Sequence, residues 1–93
     1  KGFKYQTDSD AQFNVACKPK HYIRDDFITL DKDGVLTISA GYAWDGSSGP
    51  TVNTNNFMRG SLVHDALYQL MRHELLSYEY KDCVDKELIR LLR

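Results

Sequence analysis

The chain has 93 residues, of which 42% are hydrophobic and 27% charged, and its formal net charge is −1. This length fits one domain with a small core, since single domains run from about 50 to 250 residues. Nucleic-acid binding is not expected at an isoelectric point near 6.3, and no apolar run is long enough to span a membrane.

The first half of the chain, residues 1–45, has the patterns of β-strands. Phe13, Val15 and Cys17 alternate with polar or small residues, which predicts a half-buried strand. The second cysteine, Cys83, is far away in the sequence, and the pair matches no CxxC spacing. A disulfide between them is one alternative, but we expect two free thiols, as in a reducing compartment.

A β-hairpin is predicted over residues 26–44. Its first strand holds three apolar residues, Phe27, Ile28 and Leu30. The sequence DKDG at 31–34 predicts the turn, in which Gly34 is free to adopt a positive φ and Asp33 can form a local hydrogen bond. The sequence VLTISAGYAW at 35–44 predicts the returning strand.

Residues 45–57 are rich in Gly, Ser, Pro, Asn and Thr and are predicted to form a loop. A first helix is predicted over about 58–73, with a regular apolar pattern from Ser61 onward. Its stripe consists of two rows, Leu62, Ala66 and Leu70 beside Val63, Leu67 and Met71.

A second helix is predicted over 77–92, with Ser77 as its N-cap and Glu79 in its first turn. Its apolar row consists of Tyr80, Val84, Leu88 and Leu91. The short connection predicts an antiparallel helical hairpin, which needs a sheet to cover its apolar face. We therefore expect residues 1–93 to form one α+β domain, with an antiparallel sheet packed against the hairpin.

Polar residues share the other face of the first helix: Ser61, His64, Asp65, Tyr68 and Arg72. One interpretation is a solvated helix face. However, His64 and Asp65 are adjacent and straddle the edge of the apolar stripe, and a half-buried Tyr68 hydroxyl needs a partner. The alternative interpretation is an acid–base or metal site.

Two further groups could complete such a site. On the second helix, Asp82 and Asp85 lie three residues apart, and Asp85 either pairs with Lys81 or hydrogen-bonds His64 across the helical groove. In the loop, Asp45 and Ser48 are either turn-forming residues or active-site residues held beside the first helix.

Three segments taken together resemble a known family: GYAWDGSSGP at 41–50, SLVHDALYQLMR at 61–72 and KDCVDKELIRLL at 81–92. The sequence is similar to the domain of unknown function 1353, a small family of bacteriophages, prophages and bacteria. The matching positions are Gly41, Asp45, Gly46, Ser48, Pro50, His64, Asp65, Leu67, Tyr68 and Asp85. The likeness covers roughly residues 20–92, and it departs from the family pattern at Gly49 and at Thr51, where the family often has Arg.

The resemblance implies a shared fold and site but no established activity. It implies a protein of phages or mobile elements, in the cytoplasm of a bacterial host or associated with a virion. No signal peptide is recognised, although the chain starts at Lys1 and its natural N-terminus is expected to lie upstream. The expected partner is a protein, either a virion component or a host factor.

Two functions remain open. The first is a binding or structural module in which the polar residues form a hydrogen-bond network that holds the fold. The second is a small hydrolase, whose divalent Zn, Mn or Fe ion would be held by four side chains, Asp45, His64, Asp65 and Asp85. In it Ser48 would stabilise an oxyanion and Tyr68 would act as an acid. In a metal-free version Ser48 is the nucleophile and His64 the base.

Overall fold

The computed structural model of the chain describes residues 5–44 and 55–92. The strands in these ranges are β1 (Tyr5–Gln6), β2 (Ala11–Asn14), β3 (Ile23–Arg24), β4 (Ile28–Leu30), β5 (Val35–Ile38) and β6 (Ala43–Trp44). The helices are α1 (Asn55–Arg72), a 3-10 turn (Tyr78–Tyr80) and α2 (Lys81–Leu92). An antiparallel sheet packs against the hairpin of α1 and α2, so the predicted α+β class is confirmed.

The main sheet has the strand order β2-β5-β4-β3, with every neighbouring pair antiparallel, and β1 pairs separately with β6. In the central pair, Ile28 lies opposite Ile38 and Leu30 opposite Leu36. All four side chains are completely buried, because alternate residues of a strand point to the same face. This face and the apolar stripe of α1 form one hydrophobic core.

The predicted hairpin turn at 31–34 is confirmed, and Gly34 has a φ of +87°. The carboxylate that organises the turn is Asp31 rather than Asp33. Its Oδ1 accepts hydrogen bonds of 2.9 Å from the backbone N–H groups of Asp33 and Val35. The backbone N–H of Val15 donates to the carbonyl of Gly34 over 2.8 Å, which holds the turn against the end of β2.

The strands on both sides of this turn are shorter than the sequence pattern predicts. A tight turn at 25–27 separates β3 from β4, and Phe27 lies in it with 41% of its surface exposed instead of in a strand. The returning strand ends at Ile38, because Gly41 has a φ of +94° and redirects the chain toward β6. The strand β2 likewise ends at Asn14, although buried and exposed residues continue to alternate after it.

The apolar stripe of α1 is buried as predicted. The helix begins at Asn55, several residues before the apolar pattern that marked it in the sequence, so the loop predicted over 45–57 was too long. It ends where Glu74 adopts a left-handed φ of +62°, and the N–H groups of Leu75 and Leu76 then bond to the carbonyl of Leu70. No helix in the described ranges is both long and apolar enough to cross a membrane.

Ser77 is an N-cap, as predicted, and its Oγ accepts a 3.2 Å hydrogen bond from the N–H of Glu79. The capped element is the short 3-10 turn, and α2 follows it without a break. The buried side of α2 contains Val84, and it also contains the charged residue Glu87, which was not predicted there.

Cys17 and Cys83 form a disulfide, so the expectation of two free thiols was wrong. The chain just after β2 runs beside α2, which brings the two Cα atoms to 5.8 Å, within the range that a disulfide requires. Spacing in the sequence carries no information on such a contact between distant segments. Two further contacts join the same parts: Tyr80 donates to the carbonyl of Lys18, and Arg90 donates to that of Asn14.

Candidate functional site

Four polar side chains meet between α1 and α2, and they are called the interhelical cluster here: His64, Tyr68, Lys81 and Asp85. His64 and Tyr68 are one turn apart on α1, and Lys81 and Asp85 are one turn apart on α2. Residues four apart share one face of a helix. The antiparallel packing of the two helices therefore brings the two pairs together.

The carboxylate of Asp85 is the centre of the cluster. Its Oδ1 accepts a 2.7 Å hydrogen bond from the Tyr68 hydroxyl and lies 3.1 Å from Nε2 of His64. Its Oδ2 accepts a 3.0 Å hydrogen bond from Nζ of Lys81. The His64 and Tyr68 rings pack against each other with centroids 4.4 Å apart. Both carboxylate oxygens of Asp85 are thus engaged.

These contacts set the charge state of the cluster. Hydrogen bonds from Tyr68, Lys81 and His64 lower the pKa of Asp85 to about 2. The bond to Asp85 raises the pKa of Tyr68, so the phenol remains a donor. Because an ionised carboxylate only accepts, Nε2 of His64 carries the proton in this contact, which leaves Nδ1 as the acceptor of the neutral ring.

The stability that Asp85 provides should disappear in acid. Its pKa is lower in the folded chain than the ordinary value of 3.8, so its contribution is present above about pH 4 and is lost as the pH falls toward 2. Since 38% of the side chain is exposed, solvent screening limits this contribution to about 1 kcal/mol. Urea unfolding of the wild type and of Asp85→Asn, above and below this window, measures it.

We expect Asp85→Asn to be less stable near neutral pH and to approach the wild type at low pH. The pKa of Asp25 is also lowered, because hydrogen bonds from the Asp26 backbone, His73 and Gln69 outweigh the effect of burial. That carboxyl is present in both proteins, so the difference between them isolates Asp85. A constant difference across the pH range would contradict the prediction.

The predicted site residues separate into three groups. His64, Tyr68 and Asp85 lie together, whereas the charge of Asp65 acts on Tyr42: burial and then this charge raise the pKa of Tyr42 to about 12. Asp45 and Ser48 lie outside the described residues. Among residues 5–44 and 55–92, no three His, Cys, Asp or Glu side chains are grouped so that they could hold a metal ion.

A second polar cluster, which the sequence patterns did not predict, joins α1 to the sheet and is called the Asp25 cluster; it consists of Asp25, Tyr42, Gln69 and His73. The Asp25 carboxylate lies 2.6 Å from Nδ1 of His73 and 3.5 Å from Nε2 of Gln69. The Tyr42 hydroxyl donates to Oε1 of Gln69 over 3.4 Å. The regular spacing of Asp65, Gln69 and His73, four residues apart, was the available signal for this side of α1 and for His73, which directly follows the helix.

The chain was compared with models of known protein families, with curated protein sequences and with solved structures, and nothing matched. The likeness to the domain of unknown function 1353 therefore rests on the three motifs alone and stays a prediction. The fold and the interhelical cluster are the basis for a functional proposal.

Proposed function

We propose that the chain is a small binding module for a protein partner, and that its interhelical cluster is structural. The observation that carries the proposal is the environment of Asp85. Its two oxygens take three partners, two from α1 and one from α2 itself. A carboxylate occupied in this way holds two helices together and has little capacity left for a substrate or an ion.

The charge states support the same role. An Asp85 pKa of about 2 keeps the carboxylate ionised, so it does not serve as a general acid near neutral pH. Tyr68 stays protonated and donates to it. The cluster therefore has a fixed pattern of donors and acceptors, which specifies how the helices of a small core are aligned.

Replacement of Tyr68 tests this role. Tyr68→Phe keeps the ring and removes the donor to Asp85, and we expect it to lower the free energy of unfolding by about 1 kcal/mol. The matched control is Tyr78→Phe, at a tyrosine that is 61% exposed, which should leave stability unchanged. Chemical denaturation of both variants measures the difference. If Tyr68→Phe is as stable as the control, the cluster is not structural.

We also propose that the protein works in an oxidising compartment. Disulfides persist in secreted, periplasmic and surface-exposed proteins and are rare in the cytosol, and Cys17 is bonded to Cys83. This proposal replaces the bacterial cytoplasm expected from the sequence, and it is compatible with a virion. The phage or prophage origin and a virion or host protein as partner remain proposals that rest on the family resemblance.

A hydrolase is the second candidate, and the contact of His64 with Asp85 favours it. A carboxylate that holds one nitrogen of an imidazole leaves the other as a proton acceptor, which is the arrangement of a general base. The His64 side chain is 25% exposed, so solvent can reach it. Metal analysis of wild type and His64→Ala, together with an ester-hydrolysis assay, separates the candidates: activity or bound metal that His64→Ala removes would support the hydrolase.

A further inference from the structure

A cavity of about 240 Å³ lies where the edge strand β2 meets the first turns of α1 and the last turns of α2. It is lined by Gln12, Phe13, Asn14, Arg59, Arg90 and Leu91. None of these residues belongs to the interhelical cluster or to the Asp25 cluster. Two arginines, two apolar residues and two polar residues of the edge strand thus surround one small space.

Arg59 lines the cavity, where its guanidinium can contact a ligand. Its guanidinium carbon lies 5.4 Å from the centroid of the Phe13 ring, a cation–π contact. The guanidinium carries five N–H donors in one plane, and a cation–π contact does not use them as hydrogen-bond donors. Among residues 5–44 and 55–92, no carboxylate forms an ion pair with Arg59.

Arg90 has a different role, because its charge is already balanced. It donates two hydrogen bonds of 2.6 and 3.1 Å to Oε1 of Glu87, and the same contact raises the pKa of Arg90. Glu87 is only 3% exposed, so it needs this partner. A further bond of 2.9 Å to the carbonyl of Asn14 fixes the guanidinium. Within the described parts of the chain, the guanidinium of the cavity that has no ion-pair partner is therefore that of Arg59.

We propose that this cavity binds an oxyanion, a carboxylate or a phosphate group, and that Arg59 is the residue that binds it. The planar guanidinium matches both groups by bidentate hydrogen bonding. Phe13 and Leu91 supply the apolar part of the lining. The inference supplies a ligand for the binding role proposed above, and its test does not depend on the stability of the interhelical cluster.

The test is an NMR titration of the intact protein with inorganic phosphate and, separately, with acetate, at low ionic strength. We expect saturable shifts of the Arg59 side-chain N–H and of the backbone of β2 with at least one anion. Binding of phosphate alone assigns a phosphate ligand, and binding of acetate assigns a carboxylate. Added sodium chloride should weaken either interaction.

Arg59→Gln should weaken binding about tenfold or more, because it removes the charge-assisted hydrogen bonds. The matched control is Arg24→Gln in β3, at the opposite edge of the sheet, which should bind as the wild type does. Arg59→Lys keeps the charge but loses the planar donor pair, so it should lie between the two. The proposal is overturned if neither anion binds the wild type, or if folded Arg59→Gln binds as tightly as Arg24→Gln.

Discussion

Reduction of the Cys17–Cys83 disulfide is expected to lower the free energy of unfolding by about 2–5 kcal/mol. The bond closes a loop across 66 positions of the sequence, so it strongly restricts the unfolded chain. A domain of 93 residues has a small core and little stability in reserve. In this size range the loss corresponds to a decrease in Tm of about 10 °C or more.

Thermal unfolding with and without a dithiol reductant measures this effect, with thiol counting to prove that reduction is complete. The Cys17→Ala/Cys83→Ala double variant is the control, because it should melt at a low temperature and be insensitive to reductant. A fully reduced wild type with an unchanged Tm would show that the contacts around the disulfide are sufficient without it.

Gly34→Ala is expected to destabilise the domain by about 2–4 kcal/mol. Two effects add at this position. The φ of +87° is strained for any residue with a Cβ, and a Cβ would also clash with the backbone carbonyl oxygen of Val15. The clash is with backbone that is hydrogen-bonded to Gly34 itself, so the neighbour cannot move away without breaking the contact between the turn and the end of β2.

Gly41→Ala separates the two effects. Gly41 has a similar φ of +94°, but an added Cβ would meet a side-chain atom of Phe27 at 3.4 Å, an ordinary contact. This control therefore has the backbone strain without the clash, and it should cost about 1–2 kcal/mol. Urea denaturation of both variants gives the comparison. Equal losses of unfolding free energy in the two variants would mean that the close approach of Val15 to Gly34 adds nothing to the destabilisation.

Local patterns in the sequence were sufficient for the fold class. The helical stripe that contains Leu62 and Val63 and the alternation of Ile28 with Leu30 both report burial on one face, and both faces enter the core. The limits of the strands were not predictable in this way. They depend on turns whose hydrogen bonds come from distant residues, such as the bond from the Ala40 N–H to the Asp10 carboxylate.

The interhelical cluster was partly predictable, since spacing alone places His64 beside Tyr68 and Lys81 beside Asp85. The two pairs contact each other only because of the angle and register at which the two helices pack. Residue spacing within one helix does not determine that angle or register. The pairings of Asp25 with His73 and of Cys17 with Cys83 join residues 48 and 66 positions apart. A single sequence has no local signal for contacts of this kind.

The position of the disulfide also determines which products form when a protease cuts the chain once. Its two cysteines lie on either side of the segment that joins the sheet to α1. A protease that cuts once anywhere between Cys17 and Cys83 therefore produces two fragments that remain covalently joined. Nicked protein would keep its mass apart from one added water, and its two halves would separate only under reducing conditions.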